Sequence, residues 1–313
     1  SALGSILVPV MKDKGYDADY AVNVTVTSSI AGIIIPPSHN MIIFALATGG
    51  AVSISKLFLA GVVPGVLMCC CLAIAAYVVA VKRGYQAEQF PGWTALAIAF
   101  VGSIPGLLTA VIIVGGVLSG VFTVTESGAF GAMYAFIVTL IVYRSLSWEG
   151  FKEAVISSVR TTSMVMILIA CAGAFAYMLT FNRVPTKTVE FLLGITENPI
   201  LILLMINAVL LLLGMIMDMA ALILICTPIF LPVMNMLGID PVQFGMILLV
   251  NLGLGLCTPP VGTCLFVGCA VGKLPMEKAV RTIWPFYLAI FAALMLITFI
   301  PAISLTLPNL LAG

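Results

Sequence analysis

The chain has 313 residues, of which 62% are hydrophobic and 8% charged, with a formal net charge of +1 and a mean hydropathy of +1.25. A soluble domain carries about a quarter charged residues, so that class is excluded, and the absence of a basic patch leaves no electrostatic footprint for nucleic acid. The apolar runs are continuous rather than alternating, which argues against a membrane β-barrel and for an all-α polytopic membrane protein.

In chain order, Ala2 to Val10 reads as the second half of a helix, so the chain is expected to be a fragment lacking upstream spans. The stretch 20–50 is long enough to cross a bilayer but is interrupted at Thr27-Ser28-Ser29-Ile30-Ala31-Gly32-Ile33-Ile34-Ile35-Pro36-Pro37-Ser38. A double proline removes backbone donors and pushes the residue before it out of the α region. Full-length spans are predicted at 57–81, 104–124, 127–143 and 161–181. Between the second and third of these, Thr125-Glu126 looks like the start of a helix with an acid in its first turn. The apolar stretch 198–236 carries one charge, Asp218, at its middle. It is either a re-entrant helical hairpin with Asp218 near its tip or two spans with a buried acid between them. The stretch 242–272 is broken at Asn251-Leu252-Gly253-Leu254-Gly255-Leu256-Cys257-Thr258-Pro259-Pro260-Val261-Gly262-Thr263, and 283–307 is predicted as a last span.

Placing the segment after residue 81 in the cytoplasm puts ten of thirteen basic residues inside, with Lys56, Arg183 and Lys187 outside. The positive-inside rule supports that orientation. A shift of 223 positions superposes Pro9-Val10-Met11 on Pro232-Val233-Met234, Gly32 on Gly255 and Pro36-Pro37 on Pro259-Pro260, with eleven identities in 45 ungapped positions. The threading runs the two copies in opposite directions, so they read as inverted repeats.

Matched interruptions in two halves of a membrane protein point to a transporter's binding site. Half-helix amino ends suit a carboxylate, and unwound carbonyls suit Na⁺, a hard cation that takes oxygen ligands. Candidate ion ligands are Ser28, Gly32, Ile35 and Pro37 at the first break and Asn251, Gly255, Thr258 and Pro260 at the second. Ser38, His39 and Asn40 open the half-helix after the first break, with Thr263 as a counterpart after the second, and these are the candidate substrate contacts. Asp218 is an intramembrane acid, which is costly and functional by default. It could ligate Na⁺, carry a proton or cap the second half of the hairpin. The eight cysteines lie within apolar segments and read as small hydrophobes. No nucleophile–base pair, phosphate loop or zinc spacing stands out, so the chain is not expected to be an enzyme or to carry an organic cofactor.

At Ile34-Ile35-Pro36-Pro37-Ser38, Gly214-Met215-Ile216-Met217-Asp218 and Thr258-Pro259-Pro260-Val261-Gly262-Thr263, the chain resembles the large membrane subunit (M, DctM-like) of TRAP transporters, the tripartite ATP-independent periplasmic transporters. Gly4-Ser5-Ile6-Leu7-Val8-Pro9, Gly120-Val121-Phe122-Thr123-Val124-Thr125-Glu126 and Gly238-Ile239-Asp240-Pro241 agree, so the resemblance covers essentially the whole chain. It implies a multi-pass protein of the bacterial inner membrane that imports small organic acids with Na⁺, such as C4-dicarboxylates, sialic acid or sugar acids. Its partners would be a small four-helix membrane subunit (Q type) and a periplasmic substrate-binding protein (P type). The implied fold has inverted repeats, each with a re-entrant hairpin and a broken helix, and an elevator-type movement. On that plan residues 1–81 are a partial first repeat, 82–197 connecting and scaffold helices, and 198–313 the second repeat. Family sodium sites between hairpin tips and broken-helix loops would carry over to Gly32, Ile35 and Pro37, with Gly255, Thr258 and Pro260 as counterparts, and the acid of the second tip matches Asp218. The family's first hairpin tip has no match here, so the chain as written is expected not to transport alone. The alternative reading is a standalone Na⁺/carboxylate symporter of the same inverted-repeat plan. A structural membrane subunit would not need matched breaks.

Overall fold

The computed structural model describes residues 2–86 and 91–311, and among them all regular structure is helical. In chain order the helices are α1 (Ala2–Asp13), α2 (Ala18–Ser28), α3 (Ala31–Ile34), α4 (His39–Ala47) and α5 (Ile54–Lys82). Next come α6 (Trp93–Leu118), α7 (Val124–Ile137), which runs into a π-helical turn at Val138–Val142, and α8 (Trp148–Phe181). The remainder are α9 (Val184–Ile195), α10 (Pro199–Gly214), α11 (Met219–Met236), α12 (Pro241–Leu256), α13 (Thr263–Gly272), α14 (Met276–Thr282), α15 (Trp284–Phe299) and α16 (Pro301–Leu311). Five described helices are long and apolar enough to cross a membrane, or seven if each bent pair counts as one span, so the chain is a multi-pass membrane protein. It divides into two compact units, residues 1–85 with 170–313, and residues 86–169.

The larger unit is organised around α12, in which every residue from Val242 to Gly255 is buried. A helix that is apolar on all sides demands that environment. It is packed by α10, α15, α5 and α11. Its amino end is set by Asp240, whose carboxylate accepts the Val242 N–H at 2.7 Å, followed by Pro241 in the first turn. Asn198 and Pro199 open α10 in the same way, with Asn198 Oδ1 accepting from Ile200 N at 3.0 Å. Lys12, at the end of α1, donates to the final carbonyl of α13, Gly272 O, at 2.6 Å, which supplies one of the partners a helix carboxyl end lacks.

At the other end of α2, Arg83 forks onto both oxygens of Asp19 at 2.9 and 2.7 Å and reaches Asp17 at 3.0 Å. The fork onto Asp19 holds the Arg83 guanidinium well above its usual range, against the opposing effect of burial. Tyr85 donates to Asp17 at 2.7 Å, and its ring packs on Tyr16 and Tyr20 at 4.8 and 5.2 Å. The cluster ties the start of α2 to the end of α5.

In the smaller unit α6 packs against α7. The helix start expected around Thr125-Glu126 is a capping box. Glu126 N donates to Thr123 Oγ1 at 3.3 Å while Glu126 Oε2 accepts from Thr123 N at 2.8 Å.

Three expected spans are redrawn. The segment 283–307 is not one helix: α15 ends at Phe299, and Ile300 is non-helical (φ −117°, ψ 89°) before Pro301 opens α16. A residue before proline is pushed out of the α region, a local rule that apolar length alone overlooks. The span expected at 104–124 runs from Trp93 to Leu118, and Gly120 turns the chain with φ +71°. The one expected at 161–181 extends back to Trp148, because Glu149, Lys152, Glu153 and Arg160 continue the helix.

Candidate functional site

The first break follows directly from its prolines. Helix α2 stops at Ser28, α3 is a single turn, and Ile35 leaves it extended (φ −84°, ψ 127°) ahead of a cis Pro36–Pro37 bond. Ser38 is buried, and its hydroxyl turns back to donate to Ile33 O, a carbonyl that the break frees. The amino end of α4 therefore has no side-chain cap. Gly32, Ile35, Pro37 and His39 are exposed, whereas Asn40 is buried and its Nδ2 donates to Met219 Sδ at 3.5 Å.

The second break has the same local chemistry. Helix α12 ends at Leu256, Thr258 N donates to Gly255 O at 2.9 Å, and Thr258 Oγ1 donates to Leu254 O at 2.7 Å. A cis Pro259–Pro260 bond follows, then Gly262 at φ +48°, and α13 opens at Thr263 again without a side-chain cap. The Tyr287 hydroxyl donates to the buried Cys257 carbonyl. Pro260 and Thr263 are exposed.

The second break abuts the turn Met215 to Asp218 between α10 and α11, and the half-helix after the first break reaches the first residue of α11. On the second-break side, Val261 N donates to Met215 O at 3.2 Å, and a Cβ on Gly255 would lie 2.7 Å from Gly214 Cα. Only glycine permits that backbone approach. On the first-break side, Asn40 reaches Met219. Asp218 is exposed and caps α11, its Oδ1 accepting from Ala220 N at 2.9 Å. The stretch 198–236 is thus two helices joined by a turn that ends at Asp218.

The structure thus gathers Asn40, Asp218, Gly255 and Thr258 around the turn. It turns Asn251 elsewhere: Asn251 Nδ2 donates to Asn207 O at 2.9 Å and to Asn207 Oδ1 at 2.7 Å, and its own Oδ1 is buried without a partner. Asn207 escaped the sequence reading, though a lone amide in an apolar run was its signal. Ser28 faces away from the turn's contacts, lining a cavity of about 420 Å³ with residues of α1, α2 and α13 such as Leu7, Ser29 and Cys264. Met215, Thr258 and Pro259 instead line an apolar cavity of about 400 Å³ closed by Trp284, Tyr287 and Phe291. Among the described residues no group of three or more His, Cys, Asp or Glu could hold a metal ion.

Residues 1–303 match the family model of the tripartite ATP-independent periplasmic transporter, DctM component. The chain is 40% identical over 312 residues to the YgiK protein of Salmonella typhimurium, covering all of this chain and 71% of that protein. It is 35% identical over 326 residues to the C4-dicarboxylate TRAP transporter large permease protein DctM of Rhodobacter capsulatus, covering 99% of this chain and 73% of that one. To the sialic acid TRAP transporter large permease protein SiaM of Vibrio cholerae it is 36% identical over 315 residues, covering 99% and 72%. A match across nearly the whole chain, with both proline breaks and the acid-tipped turn inside it, settles the assignment: the chain belongs to the DctM family, the large permease component of tripartite ATP-independent periplasmic transporters.

Proposed function

We propose that this chain forms the membrane permease of a Na⁺-coupled importer of a small organic acid in the bacterial inner membrane. The substrate is delivered by a periplasmic binding protein, and a small four-helix membrane subunit completes the complex. The observation that carries this reading is the pair of proline breaks, one against the turn between α10 and α11 and the other followed by a half-helix that touches the start of α11. It leaves two half-helix amino ends, α4 and α13, without side-chain caps. Such ends carry a partial positive charge and free N–H groups, which suit a carboxylate. Relatives are named for C4-dicarboxylate, sialic acid and 2,3-diketo-L-gulonate, which are organic acids or their anions.

In this reading Ser38, His39, Asn40 and Thr263 contact the substrate. The carbonyls of Gly32, Ile35 and Pro37 with the Ser28 hydroxyl form one ion site, although Ser28 lines a different cavity and would have to turn. Gly255, Thr258 and Pro260, with Asp218, form the other; Asn251, whose amide is held by Asn207, would have to turn to bring its unpartnered Oδ1 to it. These donors fit a hard monovalent cation: the Thr258 hydroxyl gives its proton to Leu254 O, so its lone pairs stay available, and Asn251 Oδ1 is a buried acceptor in need of a donor or cation. Bound Na⁺ would supply positive charge that draws the loop carbonyls and the turn together. Helix α10, at 16 residues, is shorter than the roughly 17–25 of a full span, whereas α11, at 18, is long enough to cross; the re-entrant pair and the elevator step of an inverted-repeat domain rest on the family resemblance.

The test is substrate uptake into proteoliposomes by the full-length permease with its small subunit and binding protein. Uptake should require a Na⁺ gradient and should need the binding protein. Asp218→Asn keeps an N-cap acceptor but removes the charge. It should raise the Na⁺ concentration for half-maximal uptake about ten- to a hundredfold, the size of one charge-assisted contact of ~1.5–3 kcal/mol. Uptake indifferent to Na⁺ would overturn the coupling. Uptake without the binding protein would favour a standalone symporter.

A further inference from the structure

One flank of the second break is hollow where the matching flank of the first is filled. The shift of 223 positions that superposes the breaks also sets Gly61 and Gly65 of α5 against Trp284 and Leu288 of α15. At the first break α5 closes on the loop: a Cβ on Gly61 would run into Ile34 O, and one on Gly65 into the Ile35 side chain. At the second, a tryptophan and a leucine take those places, and the apolar cavity of about 400 Å³ lies between α15 and the loop at Thr258 and Pro259. Trp284, Leu288 and Phe291, at i, i+4 and i+7 on α15, are exposed, so the cavity sits at the lateral surface of the bundle. From Trp284 to Phe291 its wall runs about 10 Å along the helix, most of the depth of one leaflet, about half of a ~30 Å hydrocarbon core. Its end is Val280 of α14, a short helix that meets α15 at a 58° bend. Lys278 and Arg281 are exposed on α14, against one acid there, Glu277. A tryptophan next to basic residues at the end of a span marks a membrane–water boundary.

We propose that this cavity holds one acyl chain of an anionic phospholipid drawn from the surrounding bilayer, with its phosphate on Lys278 and Arg281. Basic residues at the cytoplasmic end of spanning helices recognise such headgroups, and the charge pattern of the sequence places α14 on that side. The wall chemistry selects the chain. Apolar side chains facing a void lose their dispersion partners, and methylenes restore them without leaving a polar group unpaired. Water needs two to four polar partners, and the hydroxyls on this wall are engaged, Thr258 donating to Leu254 O and Tyr287 to Cys257 O. The bound chain keeps α15 from closing on the second break as α5 closes on the first. It is thus a spacer beside one break and not the other, an asymmetry that the Gly61 and Gly65 exchange builds into the two repeats.

The experiment uses the full-length permease with its small subunit in phosphatidylcholine vesicles, every tryptophan but Trp284 replaced by phenylalanine. Phosphatidylglycerol or phosphatidylcholine with brominated acyl chains, which quench indole fluorescence on contact, is titrated in. Brominated phosphatidylglycerol should half-quench Trp284 at about a tenfold lower mole fraction than brominated phosphatidylcholine, the order expected of two basic residues at a lipid surface. The Lys278→Gln/Arg281→Gln double variant should lose that preference. Leu211→Phe, which narrows the cavity from the opposite wall and keeps both basic residues, should lose it as well. Native mass spectrometry of the complex with its tryptophans intact reads the same site without those replacements: phosphatidylglycerol should stay bound, and should be lost in Lys278→Gln/Arg281→Gln. Equal half-quenching by the two lipids makes the contact ordinary boundary lipid and overturns the site. A Trp284 that neither lipid quenches overturns it too, because another part of the complex then covers the cavity. A preference that survives in Lys278→Gln/Arg281→Gln overturns the headgroup contact. None of these readings requires transport, so their failure is distinct from failure of the Na⁺-coupled reading.

Discussion

Gly255 and Gly32 occupy matched places in the two breaks and differ in what surrounds them. A Cβ at Gly255 meets Gly214 backbone at 2.6 to 3.0 Å, whereas nothing lies within 4 Å of one at Gly32. Backbone cannot step aside as a flexible side chain can. Gly255→Ala should therefore cost about 1–3 kcal/mol, the usual penalty of overpacking, read as a lowered thermal unfolding midpoint in detergent. Gly32→Ala should stay within ~0.5 kcal/mol of the parent, as open sites do. Equal effects would mean the Gly214–Gly255 approach does not hold the turn. The importance of both glycines could be guessed from the sequence, since each precedes a double proline. Their difference could not, because Gly214 is 41 positions away in the chain.

At the scale of elements, the join between α2 and α5 rests on a charged fork at side chains only 24% and 19% exposed, Arg83 and Asp19. A pair of this kind is more than a surface ion pair, since its geometry is bidentate and water is partly excluded. A double-mutant cycle with Arg83→Gln and Asp19→Asn should return a coupling of about 1–2 kcal/mol in thermal stability. A coupling near zero would assign the join to the Tyr16, Tyr20 and Tyr85 rings instead. The helix start at Asp218 was legible because an acceptor followed by a short gap to a free N–H is a local signal, the same one that opens α10 at Asn198 and α12 at Asp240. The end of α15 at Pro301 was equally local and was overlooked because hydropathy was weighed above it. The length of α8 was not legible, because charged residues near a span read as a loop until the helix is seen to carry them.

For the molecule as a whole, orientation in the membrane rests on where the basic residues fall. A single cysteine replacing Lys56, in a background without native thiols, should react with a membrane-impermeant maleimide from the periplasmic side of intact cells. One replacing Lys278 should react only after the cells are opened. The reverse pattern would invert the threading and with it the outward and inward assignment of the two breaks. The sequence by itself determined the helical membrane class, the two interruptions and the acid at the turn. Each follows from a rule acting over a few residues: apolar length, a missing proline donor, a capping oxygen. Tertiary structure alone decided that the second interruption meets the turn between α10 and α11, that the half-helix after the first reaches Met219, and that Asn251 pairs with Asn207. Those are outcomes of which helix faces pack together. Between apolar helices that choice depends on side-chain shape and small-residue contacts, and no short stretch of sequence encodes it.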